Sequence, residues 1–146
     1  TAHMFIAISE STKHSVLKIY PELKNKIHTV LLGVDKNIKK ASNEEQEQVR
    51  KKYNLNFPFF LYLGRIQPRK NIIRMIEAFE FFIDSNPNTT HHLVIVGSLG
   101  WLYEPILKKM QTSKYKERIH YLGYLENENE KFALISSAEA LILVSL

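Results

Sequence analysis

The sequence predicts an α/β fold: a parallel sheet with helices on both faces. Three observations lead there. From residue 57 onward, short apolar runs alternate with stretches of helical period; Gly64, Gly97 and Gly123 each stand where such a run stops; and LYLGRIQPRKNIIRMIEAF, residues 61–79, passes from strand to cationic turn to helix. Strands separated by helices need crossover connections, which makes the sheet parallel and covers both of its faces.

The elements follow in order. Thr1 to Met4 reads as a cloning remnant ahead of FIAIS, residues 5–9, a short buried-strand candidate. Ser11 or Thr12 is the expected cap of an amphipathic helix carrying Val16, Leu17 and Tyr20, which Pro21 ends. A second strand is expected at 28–32, closing on Gly33, so that residues 5–35 form one segment. Residues 36–56 are polar and charged; Ser42 and Glu45 have capping-box spacing, and Val49 and Tyr53 are the apolar contacts of a surface helix in a connecting segment. Residues 57–146 then read as strand 59–63, helix 71–83, strand 93–96, helix 103–110, strand 119–122, helix 129–137 and a buried strand 140–144. A doubly wound sheet stopping there lacks its final crossover, so the chain reads as a fragment, with an edge at 140–144 open to strand 28–32 or to a second copy as a homodimer.

The glycine-terminated loops line up along one edge of the sheet, where ligands bind in open α/β folds. Arg65 and Lys70 flank the first of these mouths, with Pro68 in the turn and Asn71 placed to cap the helix. A guanidinium fork and an ammonium there suit a phosphate or diphosphate. The competing reading of Arg65, Arg69, Lys70 and Arg74 is a solvated basic loop.

Composition narrows the classes. With 146 residues, 45% hydrophobic and 24% charged, the chain has the make-up of a globular domain. It has no cysteine, hence no disulfide and no thiolate metal site. Its six histidines have no carboxylate partner at ligand spacing, so no metal site is expected; His91 and His92 read as the end of a polar loop. A net charge of +5 favours anionic partners. No apolar run reaches the length of a membrane span.

The series ISESTKHSVLKIYPELKNKIHTVLLGVD, FFLYLGRIQPRKNIIRMIEAF, HLVIVGSLG, RIHYLGYL and ALILVS resembles the central and carboxyl-terminal part of glycosyltransferase family 4, the group 1 glycosyltransferases of the GT-B fold. The resemblance implies a Rossmann-like domain binding a UDP-, GDP- or ADP-sugar. It implies Arg65 and Lys70 on the donor diphosphate, Gly64, Gly97 and Ser98 in turns that admit backbone close to the ligand, and Tyr124 and Leu125 against the base. It implies a hexosyltransferase that is retaining and metal-independent, needs no cofactor, and acts on a glycan or lipid in polysaccharide biosynthesis, in the cytoplasm or at its membrane face. The family's E-G-F-G segment is expected just past Leu146, and the acceptor domain is represented by residues 5–35 alone. No catalytic residue is therefore expected here, and the fragment is expected to be inactive by itself.

Two other classes compete. A nicotinamide-dependent dehydrogenase calls for G-x-G-x-x-G after its first strand, and the chain has G-R-I-Q-P-R-K. A basic α/β nucleic-acid-binding module would use the net charge with Tyr53, Tyr62, Trp101, Tyr115 and Tyr121, but cations are interleaved with acids, as in NEEQEQVRKKY. Trp101 and Tyr115 are expected in helix packing and Tyr62 in the core. Glu126, Glu128 and Glu130 read as the dipole-favoured start of the last helix rather than as catalytic carboxylates, and Asp35 as a turn residue.

Overall fold

The computed structural model describes residues 2–35 and 38–146; Lys36 and Asn37, at the start of the expected connecting segment, and Thr1 lie outside them. The chain forms two compact units, residues 1–39 and 40–146.

In the first unit, β1 (Phe5–Ala7) and β2 (Ile27–Thr29) pair in parallel around α1 (Glu10–Ile19). Ser9 caps α1, its Oγ accepting from the Thr12 backbone N–H, so the cap lies two or three residues before the expected Ser11 or Thr12. β1 is not the expected buried strand: Phe5 and Ile6 are exposed and Ala7 is buried. Within this unit, one helix and one neighbouring strand are too little structure to cover both of its faces.

The second unit is a four-stranded parallel sheet in the order β5-β4-β3-β6, built from β3 (Phe59–Leu63), β4 (His92–Val96), β5 (Ile119–Tyr121) and β6 (Ala140–Leu141). Because side chains alternate along a strand, each strand feeds two cores. Tyr62, Leu93 and Ile95 join Ile72, Ile76, Phe79 and Ile83 of α3 (Ile72–Ser85) and Ile106 of α4 (Glu104–Thr112). Phe59, Leu61, Val94 and Val96 join Val49 of α2 (Asn43–Lys52) and Leu134 of α5 (Glu128–Ser137). Helices therefore lie on both faces, as the alternation of elements predicts.

α2 begins in a complete capping box, Ser42 Oγ accepting from Glu45 N–H and the Glu45 carboxylate accepting from Ser42 N–H. It is not an isolated surface helix. Lys52 and Tyr53 both donate to Glu130 of α5, and Arg50 reaches the carbonyls of Phe57 and Ser137. A matching set ties α3 to α4 and the turn after it: Glu80 accepts from Lys109 and Ser113, and Asp84 from Lys114 and Tyr115.

β6 departs from expectation. Only Ala140 and Leu141 form strand, both exposed, because β6 is an edge strand with one neighbour, β3. Ile142 and Val144 turn inward onto the α3 core, while Leu143 points out. Tyr115 is half-buried against that core, whereas Trp101 is exposed in a turn rather than packed on a helix.

At the amino end of the strands, His92 opens β4 rather than closing a loop. Its ring stacks on Phe57 at 3.6 Å, and its Nδ1 shares a 2.7 Å hydrogen bond with Nε2 of His120 on β5. One imidazole must donate and the other accept, so the bond is incompatible with both rings being protonated. Burial, then the neighbouring His120 and Arg118, pushes His92 down to about 4, and burial also lowers His120. Unfolded, both groups take up a proton near 6.5. Between these values the unfolded chain binds more protons, so the pair's contribution is complete above about pH 6.5, falls as pH drops, and levels off below about 4. Urea unfolding followed from pH 7.5 to 4.5 is expected to show a loss on the order of 2 kcal/mol from this pair, and His92→Phe is expected to flatten that dependence.

Candidate functional site

The carboxyl ends of β3, β4 and β5 are joined by a run of backbone hydrogen bonds. Gly64 N–H donates to Val96 O at 2.9 Å, Ile66 N–H to Ser98 O at 2.9 Å, Gly100 N–H to Ile66 O at 2.9 Å, and Gly97 N–H to Gly123 O at 2.8 Å. The loops thus continue the sheet's pairing past the strands and form one fixed platform.

Glycine is required at position 97. Its φ is +151°, and a Cβ there would lie 1.8 Å from the Gly64 carbonyl oxygen. Gly100 makes room in another way: a Cβ at that position would press on Cγ of Arg65 at 3.0 Å, so the missing side chain is what lets the stem of Arg65 lie against this loop.

Two tyrosines support the platform from beneath. Tyr62, fully buried, donates its hydroxyl to Arg65 O at 3.0 Å, and Tyr121 donates to Gly97 O at 2.8 Å. Burial raises both phenols, which keeps them protonated as donors. Sequence reasoning placed Tyr62 in the core without this role; the signal was the tripeptide Tyr-Leu-Gly, which ends both β3 and β5.

A cavity of about 130 Å³ opens on the platform, lined by Leu63, Gly64, Arg65, Val96, Gly97, Ser98, Tyr124, Leu125 and Lys131. Gly64, Arg65, Gly97, Ser98, Tyr124 and Leu125, singled out in the sequence, thus meet at one place. Leu63, Val96 and Leu125 make an apolar floor, Leu125 buried and Tyr124 exposed at the mouth.

Lys70 stands apart from this cavity. It ends the 3-10 turn Pro68–Lys70 and is half-buried; the preceding residue, Arg69, accepts from Leu146 N–H through its carbonyl at 3.0 Å. This turn lies beside β3 on its β6 side, where the strand order reverses, whereas Arg65 stands at the cavity. Asn71 occupies the cap position of α3 without using its side chain as a cap. It takes a left-handed conformation, φ 57°, that asparagine tolerates better than most residues.

Lys131 is the residue that sequence reasoning missed. It sits in the first turn of α5, its ammonium 5.3 Å from the Tyr124 ring centroid and donating to Glu128. That carboxylate holds it above the ordinary lysine range. The signal was a single cation after three alternating acids in ENENEK. Elsewhere Lys52, Arg74, Lys109 and Lys114 also pair with acids. No helix among the described residues is long and apolar enough to cross a membrane.

A parallel sheet with helices on both faces and a glycine-built platform at its carboxyl edge defines a Rossmann-like domain. Residues 42–146 match the family model for glycosyl transferases group 1, and the chain belongs to that family. It is 23% identical over 130 residues to O-antigen chain mannosyltransferase B of Escherichia coli, covering 88% of this chain and 34% of that protein. The fold matches the Anabaena protein HepE in complex with UDP at a TM-score of 0.80 and 16% identity, covering 99% of this chain and 38% of that one. It also matches a glycosyltransferase from Rickettsia africae at a TM-score of 0.80 and 19% identity, covering 97% and 38%. The chain thus spans little more than a third of the length of these relatives.

Replacing Gly97 by alanine is expected to cost about 3 kcal/mol in urea unfolding, since backbone must move to admit the methyl group. Tyr121→Phe, which leaves the Gly97 carbonyl without its donor, is expected to cost about 1 kcal/mol in the same measurement.

Proposed function

We propose that residues 57–146 form the donor-nucleotide half of a retaining hexosyltransferase that moves a sugar from a nucleotide-sugar to a glycan or lipid acceptor. The observation that carries this reading is the convergence of Gly64, Arg65, Gly97, Ser98, Tyr124 and Leu125 around one cavity at the carboxyl edge, in a chain of the group 1 family. The apolar floor takes the base, with Tyr124 and Leu125 against it. Arg65 and, from the neighbouring turn, Lys70 take the diphosphate.

The chemistry fits the charge. When the bond between the sugar's anomeric carbon and the diphosphate oxygen breaks, negative charge grows on the departing nucleotide. Fixed cations stabilise that charge more than they stabilise the intact donor. Arg65 and Lys70 would do this directly, which supports a metal-independent reaction. The acceptor belongs to the remainder of the whole protein, and a place in polysaccharide biosynthesis accords with the E. coli relative's name; we place the reaction in the cytoplasm or at its membrane face.

The two cations supply about 1.5 to 3 kcal/mol each as charge-assisted hydrogen bonds. Once the cost of association is subtracted, binding to residues 1–146 alone is expected near the millimolar range, without sugar transfer.

A titration followed by NMR, with UDP, GDP, ADP and pyrophosphate at two salt concentrations, tests this. Saturable, salt-sensitive binding that weakens about tenfold or more in Arg65→Ala and in Lys70→Ala is the expected result. Binding indifferent to both substitutions would remove the diphosphate assignment.

A further inference from the structure

Lys131 is the charged residue of the cavity that the donor-site reading leaves without a task. Its placement is unusual for a surface lysine: the side chain is 17% exposed, while its partner Glu128 is 68% exposed. The acid remains hydrated, and the lysine side chain is the member of the pair that packs among the lining residues, its ammonium held at the mouth beside Tyr124.

Position separates Lys131 from the diphosphate cations. Arg65 follows β3, whereas Lys131 belongs to the helix that follows β5, with β4 between them. Neighbouring strands lie about 4.8 Å apart, so the β3 and β5 ends are separated by roughly 10 Å. A nucleotide whose diphosphate sits at Arg65 and whose nucleoside crosses the Gly97 and Ser98 turn would bring its base to Lys131. The volume agrees: a cavity of roughly 150 Å³ houses a benzene ring, so 130 Å³ admits one six-membered ring, a pyrimidine or that half of a purine, but no whole nucleotide.

The donor pattern then matters. A lysine ammonium has three hydrogens and accepts nothing. One goes to Glu128, and the Tyr124 ring fixes the head group from one side. The remaining hydrogens suit an acceptor on the edge of the ring in the slot.

We infer that Lys131 is a specificity residue that reads the base edge, favouring a nucleoside diphosphate whose six-membered ring carries carbonyl oxygens, uracil or guanine, over adenine, whose exocyclic group there is an amino donor. The inference rests on the donor-site reading above and deepens it.

Titrations of the chain with UDP, GDP, ADP and pyrophosphate, repeated with Lys131→Met, Lys131→Arg and Arg65→Ala, test it. Wild type is expected to bind UDP or GDP at least fivefold tighter than ADP. Lys131→Met, which keeps the apolar stem, should abolish that preference while leaving pyrophosphate within about twofold; Lys131→Arg, which keeps the donors, should retain it. Equal loss for pyrophosphate in Lys131→Met would make Lys131 a phosphate ligand and overturn the inference, as would an unchanged base preference in that variant or none in wild type. Failure of the donor-site reading looks different: pyrophosphate and all three nucleotides would then bind alike in wild type and Arg65→Ala, or not bind at all.

Discussion

At the carboxyl edge of the sheet, the carbonyl oxygen of Gly64 occupies the space that a side chain at position 97 would fill. This approach of two backbones brings the β3 and β4 loops into continuous hydrogen-bonded register, from Gly64 through Ile66 to Gly100. Arg65 is carried on one side of that seam, and Ser98 on the other. Below it, the hydroxyls of Tyr62 and Tyr121 satisfy carbonyls that would otherwise face the core without a donor. The positions of the candidate ligand groups follow from this seam more than from their own side-chain contacts.

The seam has a rigid base because β3 and β4 are covered on both faces. Their alternating side chains enter two separate cores, so a shift of one residue in register would exchange the two sets and place Tyr62 where Leu61 now packs. Charged clamps fix the helices over those cores: Glu130 takes Lys52 and Tyr53, and Glu80 takes Lys109 and Ser113. Five ion pairs among the described residues, those of Lys52, Arg74, Lys109, Lys114 and Lys131, engage part of the positive charge that, read as a total, pointed to anionic partners in general. At the carboxyl edge the cavity itself carries two cations, Arg65 and Lys131, a number suited to a compact anion.

The two ends of the sheet are built for different purposes. The amino end is closed by aromatic stacking of Phe57, His92 and His120, with two imidazoles satisfying each other. The carboxyl end is kept open by glycines, with an apolar floor and a cationic rim. The cavity opens at the carboxyl end.

Much of this was legible in the chain because it depends on contiguous residues. The strand-to-turn break at Gly64, the helical period of Ile72 to Ile83 and the capping box at Ser42 and Glu45 are local patterns, and local sterics and hydrogen bonding enforce them. The resemblance to the group 1 family named Gly64, Arg65, Lys70, Gly97, Ser98, Tyr124 and Leu125, and the fold gathers all of these except Lys70 at one cavity. Other features depend on residues distant in sequence. The edge position of β6 exposed an apolar strand that composition alone marked as buried, and the small first unit left Phe5 and Ile6 uncovered. The partnership of His92 with His120 joins two strands at the amino end of the sheet, while the service of Tyr62 and Tyr121 beneath the loops and the placement of Lys131 beside Tyr124 arise at the other end, where three loops and a helix converge. Which partner a buried donor, acceptor or cation finds is settled by packing across strands, and no local pattern encodes it.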